Sequence, residues 1–93
     1  DMAGELVFLA KKIQFFAEHA GHLNPRQDRV LQRMAEAGAS GFAGGMNAAK
    51  YQKIAKTSKA TATRDLAALA RAGALVKTGA GPSVRYHLPF GSR

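Results

Sequence analysis

Cysteine is absent from this 93-residue chain, so no disulfide can brace the fold and no thiolate can bind a metal. The chain also lacks any run of about 18 apolar residues, which excludes a membrane-spanning helix within it. Its first residues, Asp1 to Gly4, lack the basic stretch and apolar run of a signal peptide. These absences favour a cytoplasmic protein, and the length favours a single small domain.

Acidic residues are scarce, because only six carboxylates accompany fourteen lysines and arginines and leave a formal net charge of +8. This excess favours a polyanionic partner, nucleic acid before anionic lipid, although a merely solvated basic surface would have the same composition. The carboxylates are scattered, the serines have no His–Asp arrangement, and His19 and His22 lack a third zinc ligand. We therefore expect no metal, no cofactor and no catalysis from this chain.

The apolar periodicity at the start of the chain predicts a helix over 4–20. Its core stripe follows i, i+3 and i+4 spacing and consists of Leu6, Leu9, Ile13, Phe16 and Ala20. Phe8 and Phe15 lie outside that stripe and widen the apolar face. We therefore expect Phe8 and Phe15 to form an interaction surface for a neighbouring domain or a second copy of the chain.

Capping signals predict the next two helices. Asn24 followed by Pro25 is a favourable start for a helix that ends near Ala37. Asn47 caps a shorter helix over 48–56. These two helices precede the segment that carries most of the functional information.

The remaining segments predict loops and strands. The glycine-rich connector 38–46 lacks the GK[ST] ending of a phosphate loop, so we expect a loop with a very short strand around Phe42. Residues 74–78 and 84–88 are typical of two strands joined by a Gly-Pro bend. Residues 89–93 are expected to be a frayed tail.

The fourth helix, over 59–72 and capped by Ser58, has one apolar face and one face with Thr and Arg. With Leu66 facing the core, Ala62 and Leu69 fall on the same side at 100° per residue. Only the first two turns of such a helix reach base edges in a DNA groove. The candidate base contacts are therefore Ala60, Thr61 and Arg64. Arginine can bind guanine bidentately, and threonine offers a hydroxyl and a methyl group.

Further polar side chains around this helix are candidates for contacts to the DNA backbone. They are Lys50, Lys53, Lys56, Ser58, Lys59, Thr63, Lys77 and Arg85. The alternative interpretation of all these residues is an ordinary solvated surface.

Together the elements predict a mainly α fold with a small β-hairpin, a winged helix-turn-helix. Its three-helix core and wing would span 23–88, after an N-terminal linker helix in 1–22. Helix 59–72 would enter the major groove of double-stranded DNA, and hairpin 74–88 would act as the wing. The alternative function is a protein-interaction module that docks through the first helix. Binding to a membrane surface through that helix is a weaker third possibility.

Three strings resemble the C-terminal winged-helix domain of bacterial Fic-family proteins over residues 17–88. They are Leu23-Asn-Pro-Arg-Gln, Ser58-Lys-Ala-Thr-Ala-Thr-Arg-Asp-Leu and Arg85-Tyr86-His87-Leu88. In that family the module follows an all-helical domain that transfers AMP, or a related group, from a nucleotide to a protein hydroxyl. The resemblance implies a regulatory module whose first helix is the tail of a preceding catalytic domain.

The active-site motif of that family, HxFx(D/E)GNGRxxR, is not in this chain. The nearest string, His87-Leu-Pro-Phe-Gly-Ser-Arg93, lacks the acid, the Asn and the second Arg. The resemblance therefore implies a non-catalytic piece of a nucleotidyltransferase. It implies either DNA binding that regulates transcription or recognition of a protein target for AMP transfer, with the Fic domain and a possible homodimer as partners.

Overall fold

The computed structural model describes residues 2–38 and 42–90, which form a mainly helical fold. Within these residues the α-helices and strands in chain order are α1 (Met2–His19), α2 (Pro25–Ala35), α3 (Ala48–Ala55), α4 (Lys59–Arg71), β1 (Val76–Thr78) and β2 (Arg85–His87), and a 3₁₀ turn at Gly81–Ser83 lies between the strands. The strands form one antiparallel two-stranded sheet. None of the described helices is long and apolar enough to cross a bilayer. The predictions for residues 39–41 and 91–93 lie outside the described residues.

Helix α1 faces the core mainly with a side other than the predicted one, although Phe16 of the predicted stripe also packs against the core. Phe8 and Phe15 are only 7% and 5% exposed, whereas Leu6 and Ile13 are 62% and 63% exposed. Phe15 belongs to the same hydrophobic core as α2 and α4. The predicted interaction surface of Phe8 and Phe15 is therefore wrong, because both rings are buried and pack against Phe90, and Phe15 also belongs to the core.

Phe90, which follows the last strand, completes this aromatic cluster. The ring centroid of Phe90 lies 5.3 Å from that of Phe8 and 5.1 Å from that of Phe15. The predicted frayed tail is therefore wrong for Phe90, which packs on α1 after the last strand. Through Phe15, and with Phe16 packed beside it, helix α1 contributes to the same core as α2 and α4.

The predicted helix starts are confirmed in atomic detail. Asn24 and Gln27 form a reciprocal capping box. The backbone N–H of Gln27 donates to Asn24 Oδ1, and the backbone N–H of Asn24 donates to Gln27 Oε1. The side chains of Asn47 and Ser58 accept backbone N–H bonds at the starts of α3 and α4. Helix α2 ends at Ala35, earlier than predicted.

The connection between α3 and α4 is a three-residue turn. Lys56 ends α3 in the left-handed conformation, with φ of 55°, and Ser58 already caps α4. Tyr51 on α3 is completely buried. The short turn brings the end of α3 and the first turn of α4 together.

The hairpin pairs Val76 with His87 and Thr78 with Arg85. A third segment joins it at Met46, whose backbone exchanges two 2.8 Å hydrogen bonds with Tyr86. The short strand predicted around Phe42 is therefore displaced to a single bridge at Met46, and the half-buried ring of Phe42 packs against the core. Gly45 allows this close approach, since a Cβ there would lie 2.7 Å from the His87 ring.

The core lies between α2, α3 and α4, with the hairpin and α1 covering its ends. Its most completely buried large side chains are Val30, Leu31, Met34, Met46, Tyr51, Leu66 and Leu69. The inward side of α4 is thus the one predicted from its periodicity.

The orientation of α1 predicts unequal effects of two truncations. Phe15→Ala should lower the free energy of unfolding by about 3–4 kcal/mol, because it leaves a cavity among packed rings. Val7→Ala, at an exposed position of the same helix, should change it by less than about 0.5 kcal/mol. Urea unfolding followed by circular dichroism measures both, and equal losses would contradict the observed orientation.

Candidate nucleic-acid interface

The structure of the candidate interface depends on one buried carboxylate, Asp65 of α4. Arg26 grips it with two nitrogens, Nε at 2.8 Å from Oδ2 and Nη2 at 3.1 Å from Oδ1. The Tyr51 hydroxyl donates to Oδ2 at 2.7 Å, and Asn24 Nδ2 donates to Oδ1 at 3.3 Å. The carboxylate therefore ties α4 to α3 and to the start of α2.

The ionisation of Asp65 follows from this setting. Burial acts to raise the pKa of Asp65, but hydrogen bonds from Arg26, Tyr51 and Asn24 outweigh burial and lower it below its usual value. Burial, reinforced by the bond to Asp65, raises the pKa of the Tyr51 hydroxyl. The hydrogen bond to Asp65 raises the pKa of Arg26. The carboxylate is thus charged and fully paired at neutral pH.

The exposed side of α4 carries the predicted base contacts. Ala60 and Arg64 are exposed, and Thr61 is half-buried. The Thr61 hydroxyl accepts a hydrogen bond from Ser58 Oγ at 3.1 Å and another from Arg64 Nη2 at 3.2 Å. Ser58 Oγ also accepts a hydrogen bond from the backbone N–H of Thr61. Ser58, Thr61 and Arg64 are therefore joined by a continuous series of hydrogen bonds. The guanidinium is thereby held over the first turn of the helix.

An open groove of about 400 Å³ separates the start of α4 from the hairpin. Lys59 and Thr63 line its α4 side, and Arg85 lines its hairpin side. The Arg85 guanidinium also donates to the carbonyls of Pro82 and Val84, which closes the turn of the hairpin. The groove thus brings together three of the residues predicted to contact a DNA backbone.

The other predicted backbone contacts divide into two groups. Lys53, Lys56 and Lys77 are exposed around α4 and on the hairpin. Lys50 instead donates to the carbonyls of Ala43 and Gly45 and lies 5.3 Å above the Phe42 ring. The Lys50 ammonium group thus holds the connector as an internal clasp, and its contact to a DNA backbone stays a prediction.

Charge is strongly segregated along the chain. Asp65 is the single acidic residue after Glu36, whereas eight lysines and arginines lie between residues 42 and 90. Since Asp65 is buried and paired with the partly exposed Arg26, the surface formed by α3, α4 and the hairpin has no acidic side chain among the described residues. Such a surface attracts polyanions.

Sequence reasoning missed the positioning role of Asp65 and of its partner Arg26. A usable signal was present, because Asp65 lies on the same arc of α4 as Ala62 and Leu69, both buried. Within the described residues no group of three or more His, Asp or Glu side chains could hold a metal ion. The arrangement is suited to binding through charge and shape.

Comparison with known proteins adds no assignment. No protein-family model matches the chain, and no curated protein matches it.

Neutralising Asp65, which anchors α4 to α2 and α3, should destabilise the fold in a pH-dependent way. Asp65→Asn should lower the free energy of unfolding at pH 7 by about 2–3 kcal/mol, because Arg26 loses a charged partner. The lowered pKa means that the carboxylate stabilises the fold above its unfolded pKa of about 3.9 and that this stabilisation is lost as pH falls further. The wild type and the variant should therefore converge in acid.

Urea unfolding at pH 7, 5 and 3 measures this difference. Asp28→Asn, which removes an exposed acid of α2, is the control and should change stability by less than about 0.5 kcal/mol. Equal losses in the two variants, or a pH-independent loss at Asp65, would count against the anchor.

Proposed function

We propose that residues 23–88 form a winged helix-turn-helix domain that binds double-stranded DNA. In this assignment α3 and α4 are the helix-turn-helix, α4 is the recognition helix, and the hairpin is the wing. The observation that carries the proposal is the outward face of α4, which presents Ala60, Thr61 and Arg64 while Asp65 anchors the helix from behind.

The charge distribution supports the same function. DNA binding requires a surface whose lysines and arginines are not offset by carboxylates, because the DNA phosphates carry negative charge. The exposed surface of α3, α4 and the hairpin meets this requirement, since its one acid is buried and paired.

The proposed docking assigns different tasks to different side chains. Arg64 would bind a guanine edge in the major groove, and the Thr61 methyl group would contact a thymine methyl. The small side chain of Ala60 would let the backbone of α4 approach the base edges closely. Lys59, Thr63 and Arg85, which line one groove, would hold the phosphates between the recognition helix and the wing.

We further propose that this domain is the C-terminal regulatory module of a Fic-family protein that acts in the bacterial cytoplasm. The motif strings around Leu23, Ser58 and Arg85 support this parentage. The catalytic motif would then belong to another part of the same polypeptide, and the AMP transfer would be the work of that part. Finding HxFx(D/E)GNGR in the parent gene tests the assignment.

A protein-interaction role is the second candidate, and one observation favours it. Leu6, Leu9 and Ile13 form an exposed aliphatic face on α1, a helix that contributes no residue to the proposed DNA surface. The two roles use different surfaces and are compatible.

The proposed base contact predicts a sequence-specific defect. A DNA site is first selected from a random library with the wild-type chain. Arg64→Ala should weaken binding to that site by about 1–3 kcal/mol, because a bidentate contact to guanine is lost. Fluorescence anisotropy measures the affinities.

Arg71→Ala is the matched control, since Arg71 is an exposed arginine at the far end of the same helix. It removes the same charge but should reduce affinity for selected and random DNA alike. Failure to enrich any site, or identical effects of the two substitutions, would overturn the proposed recognition mode.

The proposed phosphate contacts predict a steep salt dependence. With about five phosphates neutralised, raising salt from 50 to 200 mM should weaken binding about 500-fold, because each contact adds about −0.9 to the logarithmic slope. Anisotropy titrations at four salt concentrations give this slope. A slope near zero would exclude electrostatic docking on the duplex.

A further inference from the structure

Helix α1 presents a second face that the fold leaves uncovered. Met2, Leu6, Leu9 and Ile13 are 80%, 62%, 48% and 63% exposed, although all four are large and apolar. At 100° per residue they fall within about 60° of one another and lie about 140° from Phe8 and Phe15. The face that packs on the core is therefore a different one from this aliphatic seam.

The spacing of the seam is that of a helix that packs on another helix. Its residues are separated by four, three and four positions, which is the alternation of the a and d positions in a heptad. Ala3, Ala10 and Ala17 lie exposed along one edge of the seam. Such small side chains let a second helix approach closely.

Charge borders the other edge of the seam. Glu5 and Lys12 are seven residues apart, about 10.5 Å along the axis, so they cannot pair with each other within one helix. They also line, with Leu6 and Leu9, a groove of about 370 Å³ between α1 and the end of α2. On this edge a partner that covered the seam would meet one acid and one base of α1, while Glu36 across the groove is paired with Arg33.

A second copy of α1, running antiparallel, satisfies both features at once. One register packs Leu6 against the partner's Leu9 and Met2 against the partner's Ile13, and the two-fold axis repeats each layer. The same register brings Glu5 beside the partner's Lys12, again twice. All four exposed aliphatic side chains are covered, and both edge charges gain an opposite partner.

Other registers lack this complementarity. Sliding the helices by one heptad sets Lys12 against the partner's Lys12. A parallel pair sets Glu5 against the partner's Ala10. Since like charges at such an edge oppose association, the edge charges select the antiparallel register.

We propose that the protein forms a two-fold symmetric dimer through this antiparallel pairing of α1. The interface is isologous, so each copy contributes the same surface. Neither the seam nor its edge charges belong to the proposed DNA surface, and the dimer does not depend on that function.

Charge reversal on the full 93-residue chain tests the register. The wild type should sediment as a dimer at micromolar concentration. Glu5→Lys and Lys12→Glu should each weaken self-association about tenfold or more, because each creates two like-charge pairs. An equimolar mixture of the two variants should form a heterodimer, since every edge pair is then again opposite in sign.

Glu18→Lys and Lys11→Glu are the matched controls, because they make the same charge changes on α1 away from the seam. They should leave the dimer intact. A monomeric wild type would overturn the proposal. A mixture that stays as monomeric as its components would equally overturn the register.

Cysteine cross-linking gives an independent check, which is clean because the chain contains no cysteine. Mixed Leu6→Cys and Leu9→Cys chains should form a disulfide-linked dimer under mild oxidation, while each variant alone should not. Val7→Cys, exposed but off the seam, is the negative control. Efficient cross-linking of Leu6→Cys with itself would indicate a parallel pair and contradict the antiparallel register.

Discussion

The bidentate ion pair between Arg26 and Asp65 is the interaction on which the rest of the structure depends. It joins the start of α2 to the middle of α4, and the Tyr51 hydroxyl joins α3 to the same carboxylate. Three helices are thereby fixed by one charged group. Because a buried carboxylate is tolerated only when it is fully paired, Arg26 of α2 and Tyr51 of α3 must both lie within hydrogen-bond distance of Asp65 on α4.

That orientation determines which side of α4 reaches solvent. The side with Asp65, Leu66 and Leu69 is committed to the interior, so Ala60 and Arg64 must point outward. The single acid of the second half of the chain is used as an internal anchor and leaves no negative charge at the surface it supports. One residue thus serves both the stability of the helices and the sign of the exposed surface.

Helix α1 divides its apolar residues between two sides. Its aromatic rings join Phe90 in the interior, and its aliphatic side chains form the exposed seam. The DNA-binding role proposed for α4 and the pairing proposed for α1 use separate surfaces of one small fold. A symmetric dimer would present two recognition helices, which is the arrangement that matches a DNA site with two-fold symmetry.

The positions of the caps, the inward side of α4 and the two strands followed from local sequence. Each depends on hydrogen bonds or periodicity within a few residues, as at Asn24, Asn47 and Ser58. The side of α1 that is buried, the role of Asp65 and the clasp at Lys50 could not be read in this way. Their partners, Phe90, Arg26 and Ala43, come together only in the assembled fold. A helix with two apolar sides has no local preference for burying either one, so the surface against which the helix packs determines which side is buried.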